Sequence, residues 1–194
     1  MKSIKITLLL ILLIIHFFLD ARILKGQNCD TVDNKEIYKH SVDFCPLSPL
    51  FKIYAIDYCY RVASHSEIIA GPYYANIHYK DIGNTNAPGF IIGFRQFIWK
   101  NLHIDYQLMP QWDHFYEKNE NKQYPLGFDL WNEFRLGYMF DFKAWDIPAY
   151  INVQWPFGFA LYSDDSAKPE SFKKHVKENP FFYFPPMFFI GIRF

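Results

Sequence analysis

The 194-residue sequence lacks the features that commonly assign a protein to a functional class. Its formal net charge is zero, so it has no basic excess of the kind that nucleic-acid-binding proteins carry. It has no long helical hydrophobic period, no internal repeat, no metal-ligand spacing and no glycine-rich phosphate-binding loop. We therefore expect no nucleic-acid partner, no metal and no cofactor.

The sequence also lacks an apolar run long enough for a transmembrane helix. Residues 6–19 are apolar apart from His16, which gives 14 residues, whereas a membrane-spanning helix needs about 20. Basic residues precede this run, and the small residue Gly26 follows it. The pattern predicts a secretory signal peptide over residues 1–26, with a retained N-terminal anchor as the alternative. Cleavage after Gly26 would leave 16 basic and 19 acidic residues.

Cysteine is scarce, with three residues at positions 29, 45 and 59. An exported chain folds in an oxidising compartment, where Cys29 and Cys45 could form a disulfide near the mature N-terminus. We do not expect lipidation of Cys29, because Gln27 and Asn28 precede it instead of a small residue. Cys59 lies within a strand pattern, which predicts a small packed side chain.

Aromatic residues, by contrast, are abundant at 21% of the sequence, which would require a very large core in a soluble domain. Seven segments after residue 48 alternate apolar and polar residues with the period of a β-strand. In one of them Ile69, Tyr73 and Ala75 share the apolar face. A tilted strand crosses a membrane in about 9–11 residues, and each segment has that length. The segments are residues 50–62, 68–80, 89–99, 101–116, 126–142, 147–162 and 181–194.

The connections between these segments alternate in length. Short connections at residues 63–67, 100–101 and 143–146 alternate with longer loops at 81–88, 117–125 and 163–180. In the last loop Pro169 can open a short helix, and the lysines around it could bind the phosphates of a surface glycolipid. Short periplasmic turns and long external loops are typical of outer-membrane barrels, whose strand number is even. An eighth strand is therefore predicted at about residues 36–45.

The last strand carries a pattern that resembles a known signal. Phe188, Ile190, Ile192 and Phe194 alternate up to the final residue, as in the C-terminal assembly signal of bacterial outer-membrane barrels. With the strand architecture, the chain resembles the small eight-stranded barrels of the outer-membrane-protein-A and X type. The resemblance implies an all-β fold, a single antiparallel up-and-down transmembrane β-barrel over residues 36–194, after a short segment at 27–35. It also implies the bacterial outer membrane as location, with outer-membrane lipid and the barrel-assembly machinery as partners.

The polar faces of the strands carry charged residues, which would point into the lumen of such a barrel. Eight strands enclose an interior just wide enough for side chains to fill, so these charges must pair. We expect a side-chain-filled lumen and a structural or surface-interaction role, with an ion or proton path as the alternative. The expected lumen network contains Asp57, Arg61, Arg95, His103, Asp105, Asp129, Glu133 and Arg135.

Two further functions stay open from the sequence. Some small outer-membrane barrels modify lipid A, and a deacylase of that kind needs a serine, a histidine and an acid near the external rim. His114, Glu117 and Ser163 are weak catalytic candidates, because the expected histidine followed by Ser-Asn-Gly is absent. The other alternative is an exported soluble carrier resembling a lipocalin, in which the apolar faces would point inward.

Overall fold

The computed structural model describes residues 38–119 and 121–194, and these residues are mostly antiparallel β-sheet. A 3-10 helix (Ser48–Phe51) and one α-helix, α1 (Glu170–Glu178), join the strands. No helix in the described part of the chain is long and apolar enough to cross a membrane. The predicted signal peptide, the segment at 27–35 and Cys29 lie outside the described residues, so the Cys29–Cys45 bridge stays a prediction. The strands are β1 (His40–Phe44), β2 (Ile53–Ala55), β3 (Asp57–Ala63), β4 (Ser66–Tyr79), β5 (Gly83–Trp99), β6 (Leu102–Glu117), β7 (Lys122–Gln123), β8 (Gly127–Ala144), β9 (Ile147–Ser163), β10 (Phe181–Tyr183) and β11 (Met187–Arg193).

The strand pairings run from β1 along the sheet and return to β1. The order is β1, β3, β4, β5, β6, β8, β9 and β11, and residues 190–193 of β11 then pair with residues 41–44 of β1. His40 N–H donates to the Phe194 carbonyl at 3.1 Å, and Phe194 N–H donates to the His40 carbonyl at 2.9 Å. The prediction of an all-β antiparallel fold is confirmed, and a strand before residue 48 does meet the last strand.

Three strand predictions differ from the structure. The segment 50–62 is broken at Ile56 into β2 and β3, and the segment 181–194 is broken at Pro185 and Pro186 into β10 and β11. Proline lacks the N–H that a strand ladder needs, which accounts for the second break. The predicted long loop at 81–88 is wrong, because β5 already begins at Gly83 after a tight turn. Residues 83–86 have no apolar alternation, so the sequence did not mark this part of the strand.

The helix predicted after Pro169 is confirmed. Pro169 has an extended backbone at φ −65° and ψ 153° and directly precedes α1. This proline suits the position, because the first N–H groups of a helix have no partner within the helix. Helix α1 buries Phe172, which fixes the helix against the strands.

The two faces of the sheet differ sharply in chemistry. We call the face with the exposed side chains the outer face and the face with the buried side chains the inner face. On β6, Ile104 and Trp112 are 42% and 40% exposed, whereas His103, Asp105 and Gln107 are fully buried. This order is the reverse of that in soluble proteins, where charged residues are almost never fully buried. Other exposed apolar residues of the outer face are Phe90, Ile92, Leu136, Phe140, Val153, Trp155, Phe188 and Ile190.

In β4 the predicted facing is wrong. Ile69 and Ala75 are fully buried on the inner face, whereas Ile68 and Tyr74 are exposed. Both faces of this strand carry apolar residues, so a period of two residues does not decide which one is buried. The register decides it, since Ile69 lies opposite Cys59 on β3, and the two pack in one buried cluster.

Candidate functional site

A row of alternating charges crosses five neighbouring strands on the inner face. Arg61 pairs with Glu67 across the β3–β4 ladder, Glu67 with Arg95, Arg95 with Asp105, and Asp105 with Arg135 on β8. Directly opposed residues of antiparallel strands have Cβ atoms about 4.5–5.5 Å apart, and opposite charges there attract. The strand register therefore places each of the three inner charges, Glu67, Arg95 and Asp105, between two charges of the opposite sign.

Arg95 is the centre of this row and is fully buried. Its Nε and Nη2 donate to Oδ1 and Oδ2 of Asp105, both at 2.9 Å, and its Nη1 donates to Oε2 of Glu67 at 3.2 Å. The planar guanidinium matches the two carboxylate oxygens of Asp105, the strongest form of such a pair. Glu67 also accepts hydrogen bonds from Arg61 at 2.5 and 3.1 Å.

Arg135 connects opposite sides of the pairing order. Its Nε donates to Glu133 Oε1 on the same strand, and its Nη1 donates to Asp57 Oδ2 on β3 at 3.2 Å. Strands β8 and β3 lie four places apart in the pairing order in either direction. Nη1 also donates to Gln154 Oε1 on β9 at 3.3 Å. The bond to Asp57 crosses the space between non-neighbouring strands, whereas the bonds to Glu133 and Gln154 stay within β8 and its paired strand β9.

Large polar side chains complete this layer. Tyr150 donates from its hydroxyl to Asp43 Oδ2 at 2.6 Å, and Gln154 Nε2 donates to Asp105 Oδ2 at 2.8 Å. The inner face has glycine where these side chains need space: a Cβ at Gly191 would clash with the Tyr150 ring, and one at Gly137 would clash with the buried imidazole of His103. We call the whole group the ion-pair network; it comprises Asp43, Asp57, Arg61, Glu67, Arg95, His103, Asp105, Glu133, Arg135, Tyr150 and Gln154.

Seven of the eight residues that we predicted for the lumen lie in this network, and Arg61 is the only one of the seven that is half-buried. The eighth, Asp129, is buried elsewhere, 3.8 Å from the ammonium of Lys168. Sequence reasoning missed Glu67, because it lay in a predicted turn, and Asp43, because the alternation of the first strand is poor. Both acids become recognisable only through the strand register.

The residues around Lys168 form a second buried polar group. Lys168 is 4% exposed and donates to Asp113 Oδ2, and Ser163 donates to Asp129 Oδ1 at 2.7 Å. Next to them, Phe172 of α1 packs against Phe115, with ring centres 4.8 Å apart. The sequence suggested that the lysines of this loop could bind phosphates, but Lys168 is buried and is not accessible for that role. It fastens the loop and α1 to the ends of β6 and β8.

A cavity of about 550 Å³ lies between the ion-pair network and α1. Asp57, Glu133 and Arg135 line it on the side of the network, and Phe172 and His175 of α1 line it at the other end. Further polar lining residues include Gln111, Asp129 and Ser163. The interior is thus not filled evenly, in contrast to the expected side-chain-filled lumen. Much of the remaining lining is apolar and includes Tyr73, Ile91, Met109, Trp131, Phe182 and Phe189.

The three weak catalytic candidates do not form a catalytic group. His114 is exposed, whereas Glu117 is buried and accepts a hydrogen bond from Tyr124 at 2.7 Å. The Ser163 hydroxyl already donates to Asp129. No hydrogen bond among the described residues joins His114 to Glu117 or to Ser163. His114 is therefore not placed to activate Ser163.

The four residues of the proposed assembly signal lie on the outer face. Phe188, Ile190, Ile192 and Phe194 are between 37% and 57% exposed. The Phe194 ring stacks on His40, with ring centres 5.7 Å apart and planes 13° apart. The C-terminal residue thus contacts the first strand through both its backbone and its side chain.

Comparisons with known proteins add no relative from which a function could be transferred. No protein-family model, no curated protein sequence and no solved structure matches this chain. In the part of the chain that the structure describes, no group of three or more His, Cys, Asp or Glu residues could hold a metal ion. The function must be argued from the two faces of the sheet, the ion-pair network and the cavity.

Proposed function

We propose that this chain is a bacterial outer-membrane β-barrel protein, a single antiparallel up-and-down barrel of eight strands with a structural or surface-interaction role. The observation that carries the proposal is the inversion of the two faces of the sheet. Charged and amide side chains are buried, and large apolar side chains are exposed around the strands. A membrane barrel has this order, with lipid outside and polar side chains inside.

The energetics favour a lipid environment for the outer face. Covering one large aliphatic or aromatic side chain is favourable by roughly 1.5–3 kcal/mol. On the outer face, Ile92, Leu136, Phe140 and Trp155 are each more than half exposed. Monomeric soluble proteins rarely expose contiguous apolar patches larger than a few hundred Å², so water is a poor solvent for this surface.

The pairing order supports a closed barrel for the same reason. An open sheet edge in lipid leaves backbone groups without partners, so membrane sheets close on themselves. Here β11 pairs back to β1, and tight turns at Ser64–His65 and Trp145–Asp146 connect strands at one end. The loop that contains α1 lies at the other end, as longer external loops do, although the β4–β5 connection at that end is a tight turn.

The ion-pair network supports a closed lumen instead of a channel. Its bonds run from β8 to β3 and from β9 to β6, so they cross the interior at one level. Eight strands enclose an interior just wide enough for side chains to fill, and the cavity of about 550 Å³ lies between this layer and α1. We propose that this layer blocks ion flow and ties the strands together.

The two alternatives fit the structure less well. A lipocalin-like soluble carrier would have a cavity like the one found here, but its outer face would be polar. A lipid A deacylase would need its serine next to a histidine, and Ser163 instead donates to Asp129.

The location can be tested with a matched pair of leucines. Leu136 on β8 and Leu126 before β8 are 52% and 54% exposed, so a soluble protein would tolerate a charge at either position. If lipid covers the outer face, Leu136→Arg loses stability by up to about 2–4 kcal/mol, as charges at the bilayer midplane do. We expect Leu136→Arg to deplete the form that migrates differently in unboiled and boiled gel samples, and Leu126→Arg to leave it unchanged.

The wild-type protein provides the direct measurement. We expect it in the outer-membrane fraction, with a heat-dependent mobility shift and no conductance steps in planar bilayers. Recovery in the soluble periplasm without a mobility shift would overturn the membrane proposal. Regular conductance steps would overturn the closed lumen.

A further inference from the structure

The sheet is interrupted beside β1, and we call the space between β2 and β10 the side gap. Strand β1 ends at Phe44, which pairs with Ile190. Beyond this point, among the described residues, β2 pairs with β4 and β10 pairs with β9, but no ladder joins β2 to β10. The 3-10 helix lies in this region, and its Phe51 ring contacts Phe184 edge-on at 5.5 Å.

The side gap has the composition that an opening in lipid requires. A broken ladder exposes backbone N–H groups, which are costly in a membrane unless they find partners. Proline has no such group, and the segments beside the gap contain Pro46, Pro49, Pro185 and Pro186. The 3-10 helix satisfies its own donors, since Leu50 N–H donates to Leu47 at 3.0 Å and Lys52 N–H to Pro49 at 2.9 Å.

The side gap leads to the cavity. Leu50, Phe51 and Phe181 are 77%, 45% and 57% exposed, and all three also line the cavity. Helix α1 lines the cavity at one end, and Arg135 with its acidic partners lines it at the other. The gap is therefore an apolar route from the outer face to the interior.

The polar side of the cavity selects the chemistry of an occupant. Asp57 and Glu133 share one guanidinium, that of Arg135, which leaves an excess of negative charge. Asp57 is 2% exposed, and its Oδ1 has no hydrogen-bond partner among the described residues. A buried acceptor without a partner is unfavourable, so a ligand with a hydroxyl or amide N–H would bind there well. A carboxylate or phosphate would meet two like charges.

We propose that the cavity binds one neutral, mainly apolar molecule with a hydrogen-bond donor at one end, and that this molecule enters through the side gap. The volume of about 550 Å³ lies within the range of small-ligand pockets. The donor end contacts Asp57, and the apolar part lies against Ile91, Met109 and Trp131. The entry route rests on the proposed membrane location, whereas the binding site does not.

Trp131 allows the site to be probed directly, because it lines the cavity while the other four tryptophans are exposed. The probe is undecanol with a bromine at its tail, added to the protein in lipid nanodiscs and, separately, in detergent. Bromine quenches tryptophan on contact, and the difference between wild type and Trp131→Phe isolates the signal of Trp131. We expect saturable quenching of Trp131 and gradual, non-saturable quenching of the exposed tryptophans.

Two comparisons test the chemistry and the position of the site. Bromine-tipped undecanoate is ionised at about pH 9. We expect it to bind at least about tenfold more weakly than the brominated alcohol, a difference of 1.4 kcal/mol in binding free energy. Ile91→Phe narrows the cavity and should abolish saturable quenching, whereas Ile92→Phe, on the outer face, should retain it. The heat-dependent mobility shift of each variant shows that it has folded.

The entry route is tested by kinetics. In a Cys29→Ser background, a bulky maleimide should react selectively with a new cysteine at Leu50→Cys in the gap, because Cys45 and Cys59 are buried. We expect this label to slow association of the alcohol several-fold, and the same label at Leu126→Cys to have no effect.

Each result decides one part of the proposal. Quenching that is identical in wild type and Trp131→Phe overturns the site, and equal binding of undecanoate overturns the donor requirement. An unchanged association rate in the labelled Leu50→Cys variant overturns the side entry. A protein that fractionates as soluble but still shows saturable quenching in detergent refutes the membrane proposal and supports the site.

Discussion

The contribution of the ion-pair network can be measured at Asp105. Asp105 accepts two hydrogen bonds of 2.9 Å from Arg95 and one of 2.8 Å from Gln154, and neither member of the Arg95–Asp105 pair is exposed. Removing one partner of a buried ion pair typically destabilises a protein by about 3–5 kcal/mol. In Asp105→Asn, Arg95 keeps Glu67 at 3.2 Å, so we expect the lower end, about 3 kcal/mol.

The matched control is Asp141→Asn. Asp141 pairs with Arg193 at 2.6 Å, but these two side chains are 25% and 16% exposed. Ion pairs in contact with solvent contribute about 0–1 kcal/mol. The two substitutions make the same chemical change in two environments. The difference between their effects on the free energy of unfolding therefore reports the effect of burial.

The assay is equilibrium unfolding in urea, with the protein in lipid vesicles and tryptophan fluorescence as the signal. A double-mutant cycle adds Arg95→Met, because removing both charges leaves no unpaired guanidinium. Glu67 still has Arg61 in the double variant. We therefore expect the double variant to lose less stability than the sum of the two single variants. Equal effects of Asp105→Asn and Asp141→Asn, or strict additivity in the cycle, would refute the assignment of a buried, coupled network.

Three shorter predictions concern other parts of the chain. Lys168→Met leaves Asp113 and Asp129 without their cation, and should accelerate trypsin cleavage near α1, whereas the exposed Lys174→Met should not. Phe194→Ala removes the ring that stacks on His40, and should lower the yield of the heat-modifiable form. Gly191→Ala forces the Tyr150 ring to move and should destabilise by about 1–3 kcal/mol in the urea assay, with partial rescue by Tyr150→Leu.

The strand period was enough to predict the fold class, because most strands have one apolar and one polar face. It failed where that contrast is absent. Residues 83–86 of β5 have no apolar side chains that could alternate, although Gly83 and Thr85 are buried. Strand β4 carries apolar residues on both faces. In both cases the pairing register determines which side chains are buried. The register depends on the neighbouring strands and not on the segment itself.

The candidate site was predictable in its residue types but not in its connections. Charges on the polar faces pointed to Arg95, Asp105 and Arg135, yet the alternating row depends on a register that one sequence does not reveal. The cavity was not predictable at all. Its volume depends on where β1 stops and on how Pro185 and Pro186 divide the last strand, and neither follows from residue periodicity.

The network and the side gap are physically related. The ladder is shortest at β1, where residues 41–44 pair with β11 and residues 40–43 pair with β3, so this side of the proposed barrel has the fewest backbone hydrogen bonds. Two acids of the network lie on those strands: Asp43 of β1 accepts the Tyr150 hydroxyl at 2.6 Å, and Asp57 of β3 accepts Arg135 Nη1 at 3.2 Å. Each bond fastens the weakly paired side to strands β9 and β8 across the interior. Such cross-interior bonds allow the ladder to be interrupted above β1 without separating the strands below it, which is what a stable side opening requires.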